Sequence, residues 1–264
     1  ARGGGGFLTS RRLDLELVRR RLMPSRSAAQ RAILEGRVQV AGLPVTRPAA
    51  AVAADAVVVV DPEATRYVGR GGHKLAAALD TFGIDGAEKR AIDIGASTGG
   101  FTDCLLQRGA VEVVAVDVGR GQLHPSLRRD RRVVDLEGTD IRTIDVGGVG
   151  APFDVVVADV SFISLRLIAG AVADLIGKAG DVVLLVKPQF EAGPGHHSKR
   201  GIVVDEAVRT EACREVAAAF VAQGLTERGL MTSPVPGRAG NREFLLWLHR
   251  CGGAAHPDED GGCD

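Results

Sequence analysis

Ala91-Ile-Asp-Ile-Gly-Ala-Ser-Thr-Gly-Gly-Phe101 runs as an apolar strand into a glycine-rich turn, and a helical pattern follows at once. Gly95, Gly99 and Gly100 carry no Cβ, so the backbone can turn tightly there and come within hydrogen-bonding distance of a ligand with a charged or polar middle. The spacing narrows the ligand. A P-loop would continue as Gly-Lys-Ser/Thr, whereas Phe101-Thr102 follows Gly100; a dinucleotide fingerprint would read G-x-G-x-x-G, whereas this turn reads G-x-x-x-G-G. S-adenosylmethionine is the ligand left, against the plainer alternative of a tight strand-to-helix connection that holds nothing. Val111-Glu-Val-Val-Ala-Val-Asp117 then gives a second buried-strand pattern, ending in an acid 22 residues after Gly95, where a carboxylate would grip a ribose diol.

The same alternation continues on either side. Strands are expected at 91–94, 111–117, 133–136, 153–159 and 181–187, and helices at 99–108, 124–129, 164–177 and 205–223. Two closing strands near 227–234 and 242–249 include one antiparallel to the rest. Such a pattern predicts an α/β fold, a Rossmann-like, mostly parallel sheet covered on both faces.

A chain of 264 residues with 45% apolar content suffices for one such domain and a small module. The net charge of zero hides a segregation: residues 1–47 hold ten arginines against three acids, and the remainder is acidic by the same margin. A concentrated basic end is the footprint of polyanion binding, most often nucleic acid. Cys104, Cys213, Cys251 and Cys263 show no C-x-x-C pair and no matching histidine spacing, so neither a zinc site nor a disulfide framework is indicated. Arg2 is followed by glycines and a charged run rather than a signal-peptide core, and the longest apolar run, Pro48 to Val60, is interrupted by Asp55. The expectation is a cytoplasmic protein without a membrane partner.

Within the basic end, residues 1–10 read as disordered and 11–61 as a small α+β module. One helix starts at Leu13, a second follows Ser25-Arg26-Ser27 with Ser27 as its cap and stops at Gly36, and Val38 to Val60 supply short strands. Leu-Val-Arg-Arg-Arg-Leu, Ser-Arg-Ser-Ala-Ala-Gln-Arg-Ala-Ile and Glu-Gly-Arg-Val-Gln-Val-Ala-Gly resemble the S4 RNA-binding domain. The resemblance implies that Arg12, Arg26, Arg31 and Arg37 face RNA phosphates, a role that guanidinium forks suit. Residues 62–70 then read as a linker, 71–250 as the α/β domain and 251–264 as a disordered tail.

Ligands of open α/β sheets collect at the carboxyl ends of the strands, which here carry Asp117, Asp159 and Lys187. Lysine is informative because it occurs five times against 28 arginines, and two of the five are Lys74 and Lys187. His73-Lys74-Leu75, Asp159-Val-Ser-Phe-Ile-Ser164, Leu185-Val-Lys-Pro-Gln-Phe-Glu191 and Gly240-Asn-Arg-Glu-Phe-Leu-Leu-Trp247 together resemble the lysine-aspartate-lysine-glutamate tetrad of the FtsJ-like RNA 2′-O-methyltransferases. With the S4 module ahead of it, the chain is similar to the TlyA family, also called haemolysin A. The resemblance implies Lys74, Asp159, Lys187 and Glu243 as catalytic residues. It implies Gly95, Ala96, Ser97, Gly99, Gly100, Phe101, Asp117, Asp140 and Asp159 as the S-adenosyl-L-methionine site, with no metal.

The reaction so implied is displacement of the donor's methyl group by a ribose 2′-oxygen, Lys187 acting as base or as the cation that stabilises the developing alkoxide. Asp159 would orient Lys187 and lie close to the donor, while Lys74 and Glu243 hold the ribose and the lysine in register. The family implies cytidines of 16S or 23S ribosomal RNA, within ribosomal subunits, and no obligate protein partner. Two rivals stand beside it, a non-catalytic ribosome- or RNA-binding protein and a membrane-active haemolysin; the second lacks any strongly amphipathic surface helix.

Overall fold

Leu13 and Leu17 lie one helical turn apart, and this apolar edge decides how the amino-terminal segment packs. The computed structural model describes residues 10–34, 36–62, 66–193, 195–196, 198, 201–237 and 240–252, and divides into two compact units, Ala1–Tyr67 and Val68–Asp264. Residues 1–9, 63–65 of the expected linker and the end of the chain from 253, Cys263 included, lie outside the described residues.

In the first unit β1 (Arg11–Arg12) leads into α1 (Leu13–Arg19) and α2 (Arg26–Leu34), followed by β2 (Val38–Val40), β3 (Leu43–Pro44), β4 (Ala51–Val52) and β5 (Val58–Val60). Leu13, Leu17, Ala29, Ala32, Ile33 and Val38 are buried together as its core. The sheet order is β3-β2-β5, with β1 and β4 paired separately. Ala41 and Gly42 both have positive φ, +51° and +78°, the condition for the tight hairpin turn joining β2 to β3. The cap of α2 differs from expectation. Ser25 Oγ accepts the Ala28 amide at 3.2 Å, while Ser27 lies inside the helix, because the turn before it ends two residues earlier than its serine pattern suggests.

The second unit comprises α3 (Gly71–Phe82), β6 (Arg90–Ile94), α4 (Gly100–Gln107), β7 (Glu112–Asp117), α5 (Pro125–Arg128), β8 (Val133–Glu137), β9 (Phe153–Ala158), α6 (Ala169–Leu175), β10 (Ile176–Val186), α7 (Pro188–Glu191), α8 (Glu206–Val221), β11 (Thr226–Thr232) and β12 (Phe244–His249). Its seven strands run in the order β11-β12-β10-β9-β6-β7-β8. Only β12 opposes the others, being antiparallel to both neighbours, as expected for one closing strand. One sheet face, with Ile92, Ile94, Val156, Val182 and Leu184, shares a core with Val172 of α6 and with Val216 and Phe220 of α8. The alternate residues Val113, Ala115, Val155 and Val157 are buried on the opposite face, where α3 and α4 pack.

The expected helix 164–177 is broken. A 3₁₀ turn at Leu165–Ile168 precedes α6, and β10 begins already at Ile176, with its pairing to β9 shifting between Ile176 and Asp181. Gly177 and Gly180 account for the early end of the helix and the start of β10, since they weaken a helix and admit a bulge at the strand's entry.

The registers define the working edge. Ile94 pairs with Val116 and with Ala158, Ala158 with Leu184, and Val186 with Phe244. Gly95, Asp117, Asp159, Lys187 and Glu243, each next in sequence to these pairs or the end residue itself, therefore share one rim.

Candidate active site

Gly95 turns the chain at that rim with φ +82°, and its amide bonds the Val116 carbonyl at 2.8 Å. A Cβ there would stand 2.6 Å from the Asp159 carbonyl oxygen. What excludes a side chain at Gly95 is thus the neighbouring strand end, which sequence spacing cannot reveal. Gly99 (φ +92°) turns the chain into α4. At Gly100 an added Cβ would meet the Gly72 amide at 3.0 Å, so the beginnings of α3 and α4 touch backbone to backbone. Phe101 is buried and packs against Gly71, holding the start of α3, and with it Lys74, above the sheet. Ala96 is buried and Ser97 exposed.

Asp117 accepts the Ser97 amide at 2.8 Å and the Gly119 amide at 2.7 Å, which ties the glycine turn to the loop after β7. Thr139 bonds the Asp117 carbonyl at 3.0 Å and brings Asp140 beside it. Asp140 caps the following 3₁₀ turn through the Arg142 amide at 2.9 Å, and the Arg142 guanidinium holds its carboxyl down at about 2. Asp117, Asp140 and Asp159 thus line the rim. Such a donor set suits a ligand with a diol and cationic groups, as S-adenosyl-L-methionine is, and would repel the pyrophosphate of a dinucleotide.

Two lysine–carboxylate pairs complete the rim. Lys74 Nζ donates to Glu243 Oε2 at 2.5 Å, with both side chains buried. The loop before β12 closes over this pair: a Cβ on Gly237 would overlap Glu243 Oε1, so only glycine leaves room for the carboxylate. Lys187 Nζ lies 2.5 Å from Asp159 Oδ1, an ion pair set off the hydrogen-bonding axis, and donates to Ser161 Oγ at 2.8 Å. Asp159 is a quarter exposed, so this second pair is the one open to a substrate. All four expected catalytic residues meet at one edge.

Several residues near the site escape a sequence reading. Ser161 lies within the Asp159–Ser164 motif, but its bond to Lys187 arises only where the ends of β9 and β10 meet. Phe162 is 91% exposed with φ +67°, a conformation rare for an aromatic residue, and its ring lies 5.3 Å from that of Phe190. Glu191 accepts Ser164 Oγ at 2.5 Å and the Leu165 amide at 2.8 Å, anchoring the far end of the Asp159 loop; burial pushes its carboxyl up. Glu137 gathers the amides of Gly121, Gln122 and Leu123 at 2.5–2.9 Å and shapes the loop after β7. Asp93 is fully buried beneath the glycine turn, accepting both the amide and the hydroxyl of Thr102, and burial raises its carboxyl to about 7.

In the first unit, Arg12 and Arg26 both bond Asp14, Arg31 occupies the last turn of α2, and Arg37 pairs with Asp61 at 3.1 Å. Among the described residues no helix is long and apolar enough to cross a membrane.

The chain matches the model of the FtsJ-like methyltransferase family over residues 67–250 and that of the S4 domain over residues 11–58. It is 47% identical over 238 residues to the 16S/23S rRNA (cytidine-2′-O)-methyltransferase TlyA of Mycobacterium tuberculosis, a match covering 90% of this chain and 89% of the relative. It is 42% identical to Hemolysin A of Brachyspira hyodysenteriae, covering 84% of this chain and 92% of that one. A solved hemolysin-type structure from Streptococcus thermophilus superposes with a TM-score of 0.73 at 38% identity, covering 92% of this chain and 90% of that one. On its sequence and its fold alike, the chain belongs to the TlyA family of FtsJ-like, S-adenosyl-L-methionine-dependent methyltransferases, which carry an S4 domain ahead of the methyltransferase domain.

Proposed function

We propose that this protein methylates a ribose 2′-hydroxyl of ribosomal RNA, with cytidine as the target nucleotide and 16S RNA, 23S RNA or both, within ribosomal subunits, as substrate. The work is that of the cytoplasm. The observation that carries the reading is the meeting of Lys74–Glu243 and Lys187–Asp159 at the rim that also holds the glycine turn. The names of the mycobacterial relative and of the matching family agree with it.

Asp117, Asp140 and the turn from Gly95 to Gly100 would hold the donor's ribose and amino-acid ends, with Asp159 near its sulfonium. When bound, S-adenosyl-L-methionine supplies a methyl group already activated by positive charge. A ribose hydroxyl is a weak nucleophile at neutral pH, so the protein must stabilise the oxyanion as it forms. Lys187 does this. Its ammonium has three N–H groups; Asp159 and Ser161 fix its direction, leaving a donor for the 2′-oxygen. The buried Lys74–Glu243 pair fixes the floor on which the ribose sits. The exposed Phe162 ring gives the target base a face to stack on, which suits a nucleotide presented from unpaired RNA.

Methyl transfer from radiolabelled donor to purified 30S and 50S subunits, assayed separately, tests this. Lys187→Ala should lower the rate by roughly 10²–10⁴-fold, the usual span for losing a group that acts on the proton or charge of a nucleophile. Calorimetry should show donor binding unchanged. Turnover retained in the variant, or no transfer to either subunit by the wild-type protein, would refute the assignment.

A further inference from the structure

Nothing in the sequence marks Asp14, and a carboxylate carries the wrong charge for a surface that meets phosphate. Yet its side chain is fully buried between α1 and α2 and gathers five donors. Oδ1 accepts Arg12 Nε and the Leu15 amide, both at 3.0 Å; Oδ2 accepts Arg12 Nη2 at 2.9 Å, Arg26 Nε at 3.1 Å and Gln30 Nε2 at 2.8 Å. The Arg12 guanidinium, bonded to it most strongly, holds the carboxyl well below the usual range despite the burial. The arginines themselves stay half in solvent, Arg12 at 45% and Arg26 at 55% exposure. Arg26 spends only Nε on Asp14, and among the described residues its two terminal nitrogens have no partner.

The neighbouring acid on α1 works differently. Glu16 holds Arg19 by two bonds and Arg20 by one, but Arg20 also donates to the carbonyls of Ala54 and Ala56, so that cluster ties the helix to the chain ahead of β5. Of these two clusters, it is that of Asp14 that joins two exposed guanidinium groups from separate elements. An arginine held by one edge keeps its other edge for a phosphate and gives up less freedom on binding.

We propose that Asp14 is a positioning residue of the RNA-binding surface, fixing Arg12 and Arg26 as a rigid pair for two phosphates of a folded RNA. The proposal rests on the ribosomal RNA reading above. It has a sign that charge alone does not: Asp14→Asn adds one positive unit to the surface, which simple electrostatics would turn into tighter binding of a polyanion, whereas loss of positioning weakens it.

The test is filter binding of protein-free bacterial ribosomal RNA by the full chain across a range of salt, with melting temperatures recorded alongside. For Asp14→Asn we expect affinity to fall at least about tenfold, and the slope of log affinity against log salt to drop by about 2, the value for two lost phosphate contacts. Arg26→Ala should weaken binding in the wild-type background and add almost nothing to Asp14→Asn, since coupled residues are not additive. A purely structural Asp14 would lower the melting temperature and leave the salt slope in place. Should Asp14→Asn fail to fold, Gln30→Met decides, because it removes one of Asp14's partners without touching charge or an arginine: weaker binding supports positioning, and wild-type binding overturns it. If wild type binds and Asp14→Asn binds equally or more tightly, this inference falls alone. If wild type does not bind the RNA, the RNA reading falls and takes the inference with it.

Discussion

Asp93 shows how much one side chain can hide. It sits in the middle of the strand that opens the glycine turn, where the apolar pattern makes it look like an interruption. In the fold it is the acceptor that fixes Thr102 in the first turn of α4, through Oδ2 at 2.7 and 2.8 Å, while Oδ1 has no hydrogen-bond partner among the described residues. Burial, opposed by the Thr102 bonds and reinforced by the charges of Asp159 and Asp117, raises the carboxyl from 3.8 to about 7. Between those two values the folded protein binds more protons than the unfolded chain, so this group's contribution to stability declines as pH rises through the window and is level above it. The carboxyls of Glu16 and Asp140 are held down to about 2 and change stability only at more acid pH. Asp93→Asn, a mimic of the protonated acid, should therefore lose less melting temperature than wild type between pH 5 and pH 8. Parallel curves for the two proteins would exclude the shift. The two lysine–carboxylate pairs differ at this scale as well: breaking the buried Lys74–Glu243 pair leaves a charge unpaired in the interior, at a cost of roughly 3–5 kcal/mol, whereas Lys187–Asp159 keeps contact with water, as the role proposed for it requires.

Strand ends and helix starts carry the site, and their closeness sets what each position tolerates. The turn after β6 passes so near the end of β9 that a methyl group at Gly95 would press on three backbone atoms of Asp159 and Val160, in a φ region that alanine avoids. Gly95→Ala should lower stability by about 1–3 kcal/mol, the usual range for such strain, and weaken donor binding by displacing Asp159. Calorimetry and melting report both, and wild-type values in each would remove Gly95 from the site. Most elements were legible from periodicity, since the strands β6, β7, β9 and β10 are apolar on both faces and the helices between them keep a helical spacing. The exception is the 164–177 stretch, where a continuous apolar pattern concealed a glycine pair that ends α6 and starts β10 five residues early.

Charge is divided between the two units, and that division makes a prediction about the whole molecule. Ten arginines against three acids in residues 1–47 give the first unit an attraction for polyanions that needs no sequence code, while the rim proposed for the donor is lined by carboxylates. Binding of a polyanion through phosphate contacts weakens steeply with salt because counterions are released, whereas binding of a small ligand in an acid-lined rim does not. The KM for ribosomal RNA should thus rise roughly tenfold or more between 50 and 200 mM salt, with the KM for donor nearly constant. Steady-state kinetics measure both, and an RNA KM indifferent to salt would contradict a role for the basic unit.

From the sequence alone came the α/β class, the basic module ahead of it and the glycine turn, which follow from local rules: periodicity of two and of 3.6, segregation of charge and glycine spacing. The four residues of the proposed tetrad came from the resemblance of their motifs to the FtsJ-like family rather than from those rules. Tertiary structure decided that Lys74 pairs with Glu243, that Ser161 accepts a bond from Lys187, that Phe162 stands exposed on that same loop, and that Asp14 is a buried acceptor for two arginines rather than a surface charge. Each of these depends on strand register and on the crossing of helices far apart in the chain, and a sequence read in order carries no measure of the distances they create.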